Sequence, residues 1–368
     1  MTSKPLSLYL HIPFCASKCP YCDFYSGRYP AETRAAYLIA LQEELRTFRR
    51  SAAFVPEGLS DRPLSSVYFG GGTPSVLGAA ALTSVLTAVR ARFSLLPDAE
   101  ITVEANPSLP EPEAFFAALA KAGVNRVSLG LQSAVEQERR RLGRRAGKPQ
   151  ITRCVAAAKT AGIRDVSLDV MLGVPSQTRE SLLETLDFAL SQQPTHLSCY
   201  LLSLEPGTPF YKLRDRLDLP DEDAAADLYL LMCGVLKARG MRHYEVSNFC
   251  FGDRIGRHNM TYWTDGDYLG LGPGAHSYLA GRRFYQPPDL DGFLNGVPVC
   301  DEGPGGDAEE RLMLRLRTDL GAPASAFPGR EALLKELERN GLITTDGGTV
   351  RLTDRGFLVS NSVIGELL

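Results

Sequence analysis

The sequence predicts an α/β fold, a partial barrel of about six β/α units followed by a small C-terminal α+β domain of winged-helix shape. Short apolar segments that suit buried strands alternate with amphipathic segments of helical length through the first half of the chain. This alternation is typical of a parallel sheet covered by helices. Polar side chains collect where those strands end, as they do around the active sites of parallel barrels.

The predicted strands cover residues 6–12, 65–69, 100–104, 126–130, 165–170 and 196–200. The helices between them cover residues 31–48, 111–122, 151–161 and 180–190, with one more between the second and third strands. In the first helix, Tyr37, Leu38, Leu41 and Leu45 fall on one side, as a 3.6-residue period requires. Six units are fewer than the eight of a closed β/α barrel, so we expect a partial one.

The composition excludes several classes of protein. A net charge of −3 over 368 residues gives no basic excess, so we expect no nucleic-acid binding. No apolar segment approaches the ~20 residues that span a bilayer, and residues 1–8 do not resemble a secretory signal. Eight cysteines without such a signal indicate a reducing compartment. We therefore expect a cytoplasmic protein with at most peripheral membrane contact.

The most informative segment is the cysteine loop, residues 13–24, which contains Cys15, Cys19 and Cys22. Pro13 and Pro20 exclude regular helix or central strand, so we expect a loop after the first strand. Three interpretations compete: unrelated buried cysteines, a structural zinc site, or an iron–sulfur cluster with one iron open to an outside ligand. Structural zinc normally takes four protein ligands, and the other five cysteines are isolated in the sequence, which favours the cluster.

Polar residues at the other strand ends form a second signal. They are Gly70 to Thr73, Glu104, Gln132, Asp169 and Tyr200, and all lie at or just beyond the carboxyl end of a predicted strand. Each also has a structural explanation: the glycines suit a tight turn capped by Thr73, and a buried Asp169 needs only a polar partner. Arg144, taken alone, suits a solvated surface charge.

The spacing Cys15-x3-Cys19-x2-Cys22, with aromatic Tyr21 before the last cysteine, resembles the signature of radical S-adenosylmethionine (SAM) proteins. The resemblance implies a [4Fe-4S] cluster on these cysteines, with SAM chelating the open iron through its amino and carboxylate groups. A reduced cluster of this kind can pass an electron to the sulfonium and release a deoxyadenosyl radical.

Further motifs resemble the oxygen-independent coproporphyrinogen III oxidase superfamily. They are Tyr9-x-His11-Ile-Pro-Phe, Gly-Gly-Gly-Thr-Pro-Ser from Gly70, Glu104-Ala-Asn-Pro, Val124-Asn-Arg-Val-Ser-Leu-Gly-Leu-Gln132-Ser and Glu205-Pro-Gly-Thr-Pro. By position in those motifs, the resemblance implies SAM contacts at Tyr9, Tyr21, Gly71, Gly72, Thr73, Glu104, Gln132, Arg144 and Asp169. Relatives often carry a histidine after Leu-Gly-Arg, which Leu142-Gly-Arg-Arg-Ala-Gly147 lacks.

Within that superfamily the sequence is more similar to the heme-chaperone branch than to the oxidase. The oxidase pattern has a further cysteine where this chain has Phe24, and a substantial extension where only eight residues precede Tyr9. His258-Asn-Met-Thr-Tyr-Trp263 matches a motif implicated in heme binding in the chaperone branch. Imidazole is a standard axial ligand of heme iron, and Trp263 offers flat apolar area to a porphyrin.

The histidines have different predicted roles. His258 is the first heme-ligand candidate, with a hydrogen-bonded loop histidine as the structural alternative. His276 is the second candidate and His243 a weaker third. We expect His11 to brace the cysteine loop at the end of the first strand.

The predicted domains cover residues 1–286 and 287–368, with a linker near residues 303–307. Helices over 308–317 and 330–340 precede a hairpin that turns at Asp346-Gly-Gly348, and a last helix covers 354–366. Helices followed by a hairpin suggest a winged helix. Because this one lacks a basic face, we expect a lid or docking surface and no DNA contact.

The function that these resemblances imply is a heme chaperone with radical SAM machinery. Its partners would be heme, an electron donor and heme-accepting proteins of respiratory membranes. The main alternative is the oxidase reaction, in which coproporphyrinogen III is decarboxylated to protoporphyrinogen IX. A third possibility is a structural metalloprotein without redox chemistry.

Overall fold

The computed structural model describes residues 4–368, so the first three residues of the predicted N-terminal domain lie outside the described residues. Its main sheet begins with six parallel strands, as predicted. They are β1 (Leu6–Ile12), β2 (Leu64–Gly71), β3 (Leu95–Ala105), β4 (Arg126–Gln132), β5 (Asp165–Leu172) and β6 (His196–Leu201). Each pairs in parallel with the next one along the chain.

Helices connect these strands and cover one face of the sheet. They are α1 (Ala31–Thr47), α2 (Ala79–Arg92), α3 (Pro112–Lys121), α4 (Glu136–Arg141), α5 (Lys148–Thr160) and α6 (Arg179–Ser191). The apolar residues of β1, such as Leu8 and Leu10, are fully buried in one cluster with Tyr37 and Leu41 of α1. Because side chains alternate along a strand, Ser7, Tyr9 and His11 face the opposite, inner side.

Six short strands extend the sheet on both sides, and the sequence patterns did not predict them. After α7 (Pro209–Lys212) and α8 (Glu222–Ala238), β7 (Arg242–Glu245) and β8 (Asn248–Cys250) join β6. Beside β1 lie β9 (Tyr268–Leu271), β10 (His276–Leu279), β11 (Arg282–Tyr285) and β12 (Cys300–Pro304). The strand order β12-β11-β10-β9-β1-β2-β3-β4-β5-β6-β8-β7 ends in two free edges, so the barrel is partial.

Helix α9 (Arg257–Trp263) lies against the inner face of the sheet. The backbone N–H groups of Arg257 and His258 donate to the carboxylate of Glu100 on β3. The hydroxyl of Thr261 lies 2.8 Å from that of Ser7 on β1. The negative carboxylate therefore accepts from the first free N–H groups of α9 and fixes the helix inside the barrel.

The C-terminal region contains α10 (Leu290–Leu294), α11 (Ala308–Leu316), β13 (Ala322–Pro323), α12 (Glu331–Arg339), β14 (Ile343–Asp346), β15 (Thr349–Leu352), α13 (Asp354–Leu358) and α14 (Ser360–Leu367). The predicted hairpin turns at Gly347 and Gly348, which both have positive φ. The predicted single last helix is wrong, because Val359 leaves helical geometry and separates α13 from α14. The predicted linker, residues 303–307, begins two residues too early, since β12 continues in the main sheet to Pro304.

The C-terminal helices pack on the barrel through Asp354 at the start of α13. Its carboxylate accepts from Lys237 Nζ at 2.6 Å and contacts His243 Nδ1 at 2.9 Å. The division at residue 287 stays a prediction. Among residues 4–368, no helix is both long enough and apolar enough to cross a membrane.

Candidate functional site

The cysteine loop follows β1 directly and is held at the carboxyl edge of the sheet. The N–H of Cys15 donates to Gly27 O at 2.9 Å, and the N–H of Gly27 donates to Pro13 O at 3.0 Å. His11 Nε2 lies 2.9 Å from Tyr25 O, so His11 braces the loop as expected. All three cysteines are free and partly exposed.

The glycine turn after β2 is bonded to this loop. Gly72 N–H donates to Ile12 O at 2.8 Å, and Thr73 N–H donates to Phe14 O at 2.7 Å. A Cβ on Gly72 would lie 2.7 Å from Phe14 O, closer than real Cβ contacts come. Glycine is therefore required by the packing of the cysteine loop itself, a reason that the sequence did not reveal.

The three thiols can be compared with the ligand set of a structural zinc site. Zinc–sulfur bonds are ~2.3 Å, so thiolates on one zinc ion lie within about 4.6 Å of one another. In the described residues, Cys15, Cys19 and Cys22 do not form a group whose sulfurs all lie within 4.8 Å of one another. The loop offers three cysteines, one fewer than the four protein ligands of a structural zinc site, and this number favours a cluster.

Arg144 lies beside the cysteine loop and is half-buried. Its Nη2 donates to Gly130 O at 2.9 Å, and its Nη1 donates to Cys19 Sγ at 3.7 Å. The interpretation as a solvated surface charge is therefore wrong. A half-buried guanidinium next to the sulfur of Cys19 places positive charge beside the cysteine loop.

Glu104 and its neighbours form a polar layer inside the barrel. The hydroxyl of Tyr68 donates to Glu104 Oε1 at 2.8 Å. The rings of Tyr9 and Tyr68 are tilted by 33° with centroids 6.1 Å apart, and the Tyr9 hydroxyl lies 3.1 Å from His11 Nδ1. Burial raises the pKa of Glu104 to about 8, with Asp169 contributing and the Tyr68 hydrogen bond opposing. Such a perturbed carboxyl at a strand end is a functional-site signal.

Asp169 has polar partners on both neighbouring strands. Ser128 donates to its Oδ1 at 2.8 Å, and Ser198 also bonds to the carboxylate. Burial raises its pKa to about 6, against these hydrogen bonds and the charge of Arg144. The hydrogen bonds from Ser128 and Ser198 therefore supply the polar partners that a buried Asp169 needs. The positive charge of Arg144 also acts on this carboxylate.

The remaining predicted SAM contacts include residues of the cysteine loop, of the glycine turn and of the end of β4. Tyr21 bonds to Cys19 and packs on Phe210, and Thr73 Oγ1 lies 3.5 Å from Cys15 Sγ. Gln132 has a positive φ of 64°, which is uncommon outside glycine and marks a constrained strand end. All nine residues lie on β1 to β5 or on the segments that connect these strands, and Tyr21, Thr73 and Arg144 contact a cysteine of the loop.

His258 does not join that group. It is 1% exposed, with Nδ1 at 2.8 Å from Ser66 Oγ and Nε2 at 2.7 Å from Tyr262 Oη. Its ring stacks on Tyr68, and burial lowers its pKa to about 3. This is the geometry of a hydrogen-bonded core histidine. Ligation of iron by His258 stays a prediction, and it would require breaking the hydrogen bond at the nitrogen that binds the iron.

An open cavity of about 560 Å³ lies between the cysteine loop and the sheet extension, and we call it the aromatic cavity. Its size is in the range of small-molecule sites. It is lined by Tyr9, His11, Phe24, Tyr25, Gly71, Glu104, Tyr262, Tyr268, Gly274, His276, Tyr285 and Pro288. It thus adjoins both the predicted SAM contacts and the cysteine loop.

Several residues of this site were missed from the sequence. Tyr68, Ser128 and Ser198 hold the two carboxylates, and they occupy alternate positions of β2, β4 and β6. That polar alternation in otherwise apolar strands was the available signal. Tyr268 and Tyr285 were missed because they lie on strands of only four residues.

Two family models match the chain. The model of the Radical SAM superfamily matches residues 9–189, and the model of the HemN C-terminal domain matches residues 307–359. Among solved structures, coproporphyrinogen III oxidase (HemN) from Escherichia coli superposes with a TM-score of 0.82 over 99% of this chain and 90% of that chain. At 23% identity, this likeness shows the shared fold.

Curated relatives are similar over almost their whole length. Heme chaperone HemW of Escherichia coli K12 is 40% identical, covering 98% of this chain and 97% of the relative. Heme chaperone HemW of Mycobacterium tuberculosis H37Rv is 36% identical, covering 100% and 96%. The mitochondrial radical S-adenosyl methionine domain-containing protein 1 of mouse is 34% identical, covering 100% and 88%. On this similarity, the chain belongs to the HemW family within the radical SAM superfamily.

Proposed function

We propose that this protein is a heme chaperone, which binds heme in the aromatic cavity and passes it to acceptor proteins. The observation that carries the proposal is the position of that cavity. It opens beside the cysteine loop, and most of its walls are aromatic side chains. Flat aromatic surfaces suit the faces of a porphyrin. The curated names of the relatives support the same function.

Membership of the radical SAM superfamily implies a [4Fe-4S] cluster and SAM. We assign the cluster to Cys15, Cys19 and Cys22, which are free and are one fewer than the four ligands of a structural zinc site. The cluster, when bound and reduced, supplies an electron that can cleave the sulfonium of SAM.

The chain's own residues would bind and orient SAM at the strand ends. The assigned contacts are Tyr9, Tyr21, Gly71, Gly72, Thr73, Glu104, Gln132, Arg144 and Asp169. Glu104 and Asp169 offer acceptors for the ammonium and ribose hydroxyls, and Arg144 provides positive charge beside Cys19. Thr73 fixes the glycine turn against Cys15.

Phe24 bears on the choice between chaperone and oxidase. It occupies the position of the extra cysteine in the oxidase pattern, is 64% exposed and lines the aromatic cavity. An exposed aromatic side chain at the mouth of a cavity offers apolar area to a flat ligand. We therefore propose that Phe24 contacts heme. The experiment described below also measures whether the oxidase reaction occurs.

The partners follow from this function. We propose heme proteins of respiratory membranes as acceptors, a separate electron donor for the cluster, a cytoplasmic location and at most peripheral membrane contact. We also propose that the C-terminal domain, whose helix α13 docks on the barrel through Asp354, forms the lid or docking surface.

The test is anaerobic and compares binding with turnover. Protein with a reconstituted cluster is titrated with heme while the Soret band is recorded, and transfer to an apo b-type cytochrome is followed. A parallel sample receives SAM, dithionite and coproporphyrinogen III. We expect stoichiometric heme binding, transfer to the cytochrome and no protoporphyrinogen.

The control is a variant with all three cysteines of the loop changed to serine. Protoporphyrinogen formation by the wild type but not by this variant would make the protein an oxidase. Absence of heme binding in the wild type would overturn the chaperone proposal. Zinc without acid-labile sulfide in the purified protein would contradict the cluster assignment.

A further inference from the structure

The five histidines differ in whether a ring nitrogen is free to bind a ligand. His11, His196 and His258 each use both nitrogens in hydrogen bonds within the protein. His243 is buried between Phe249 and Asp354, away from the aromatic cavity. Only His276 remains as a histidine with an open ring edge on the cavity.

His276 begins β10, and its side chain is 56% exposed at the cavity wall. Its Nδ1 lies 3.1 Å from Oε2 of Glu302 on β12. Its ring stacks on Tyr285, with centroids 5.2 Å apart and planes at 18°. Within residues 4–368, no protein group hydrogen-bonds its Nε2.

The loop before His276 fixes it relative to the cysteine loop. Gly274 N–H donates to Gln286 O at 3.0 Å, and Gln286 N–H donates to Ala275 O at 2.8 Å. Gly272 has a φ of 104°, and a Cβ there would lie 2.5 Å from His11 O. This close approach ties the start of β10 to the end of β1, where the cysteine loop begins.

A carboxylate that accepts a hydrogen bond from Nδ1–H fixes the tautomer of an imidazole and makes Nε2 a better ligand. Protein metal sites use this pairing to orient histidine ligands. Imidazole nitrogen is also an axial ligand of heme iron in several classes of heme protein. Glu302 and Tyr285 therefore hold His276 in the arrangement that an axial ligand needs.

We infer that Nε2 of His276 ligates the iron of heme in the aromatic cavity, with Glu302 as a positioning residue. This inference rests on the proposed chaperone function and names the ligand within that same cavity. It departs from the expectation for His258, whose two nitrogens are both bonded.

The experiment uses the full chain with hemin under anaerobic conditions. Affinity comes from Soret titration, and the axial ligand comes from electron paramagnetic resonance and resonance Raman spectra. We expect a histidine-ligated spectrum in the wild type that is lost in His276→Ala and restored by added imidazole. Glu302→Gln is expected to keep the ligand but to lower heme affinity about 10-fold.

The matched control is Asp301→Asn. Asp301 is the neighbour of Glu302 on β12, forms an ion pair with Arg282, and does not contact His276. This control should leave affinity and spectrum unchanged. A histidine-type spectrum that persists in His276→Ala overturns the inference while leaving the chaperone function intact. Absence of heme binding by the wild type overturns both.

Discussion

Arg144 Nη1 lies 3.7 Å from Sγ of Cys19, although 125 residues separate the two in sequence. The same guanidinium donates to Gly130 O at the end of β4. The cysteine loop after β1 is thus joined to the middle of the parallel sheet by a cation that faces a thiol. A positive charge here favours any state of the loop that carries more negative charge.

The first prediction concerns this cation. Arg144→Met removes the charge but keeps most of the side-chain length, so the reduced cluster loses a stabilising neighbour. We expect the midpoint potential of the reconstituted cluster to fall by roughly 60 mV, a tenfold change for one electron. A redox titration followed by electron paramagnetic resonance measures it. Arg145→Met, an exposed neighbour, is the control. Equal potentials in the two variants would contradict the role of Arg144.

A second prediction tests the contact between the glycine turn and the cysteine loop. In Gly72→Ala the new Cβ would meet the carbonyl oxygens of Phe14 and Ile12 at 2.7 and 2.9 Å. Both are backbone atoms, so the cysteine loop must shift. We expect a loss of about 1–3 kcal/mol in the free energy of unfolding and fewer irons bound per chain after reconstitution.

Gly234→Ala serves as the matched control for that variant. Gly234 lies inside α8, and no atom comes within 4 Å of a Cβ built there. Alanine should therefore stabilise the helix by about 0.5–1 kcal/mol. Urea denaturation and an iron and sulfide assay give both quantities. Full iron content in Gly72→Ala would show that the loop tolerates the shift.

The third prediction separates folding from heme binding at His258. His258→Ala leaves the hydroxyl of Tyr262 without its partner, while Ser66 keeps its hydrogen bond to Ser7. The unsatisfied hydroxyl costs about 1–3 kcal/mol, so we expect a clear loss of stability. Tyr262→Phe removes one of the two bonds and should cost less.

Heme affinity of the folded fraction should stay the same in both variants. Soret titration at a temperature well below the unfolding transition measures it. If His258→Ala folds normally and loses heme, the ligand assignment to His258 is correct and the assignment to His276 is wrong.

The fourth prediction concerns pH and Glu104. Its pKa in the folded protein is raised to about 8, above the ordinary value of 4.5, so the folded state holds a proton that the unfolded state releases. The stabilising contribution is complete below pH 4.5 and is lost as the pH rises through about 8. The slope attributable to this group is at most ~1.4 kcal/mol per pH unit.

Glu104→Gln removes this titration. The difference in unfolding free energy between wild type and variant, measured without cluster or SAM between pH 6 and pH 8.5, isolates it from other groups. The wild type should lose stability more steeply across this window. Parallel curves would show that Glu104 titrates normally.

The sequence by itself determined the six parallel strands, the cysteine loop and the edge at which they meet. Apolar segments as long as β1 to β6 carry a readable period, and the carboxyl ends of parallel strands must share one edge of the sheet. Glu104 and Asp169 were therefore predictable as neighbours from the sequence.

The tertiary structure alone decided what the histidines and Arg144 do. Ser66 and His258 are 192 residues apart, and Glu302 meets His276 only because β10, β11 and β12 pair side by side. These strands have only four or five residues, too few for a periodic pattern to predict them. A side chain's role depends on its partners, and long-range strand pairing supplies those partners. The sequence shows which residue types are present. The burial of His258 and the exposure of His276 result from the folding of the sheet.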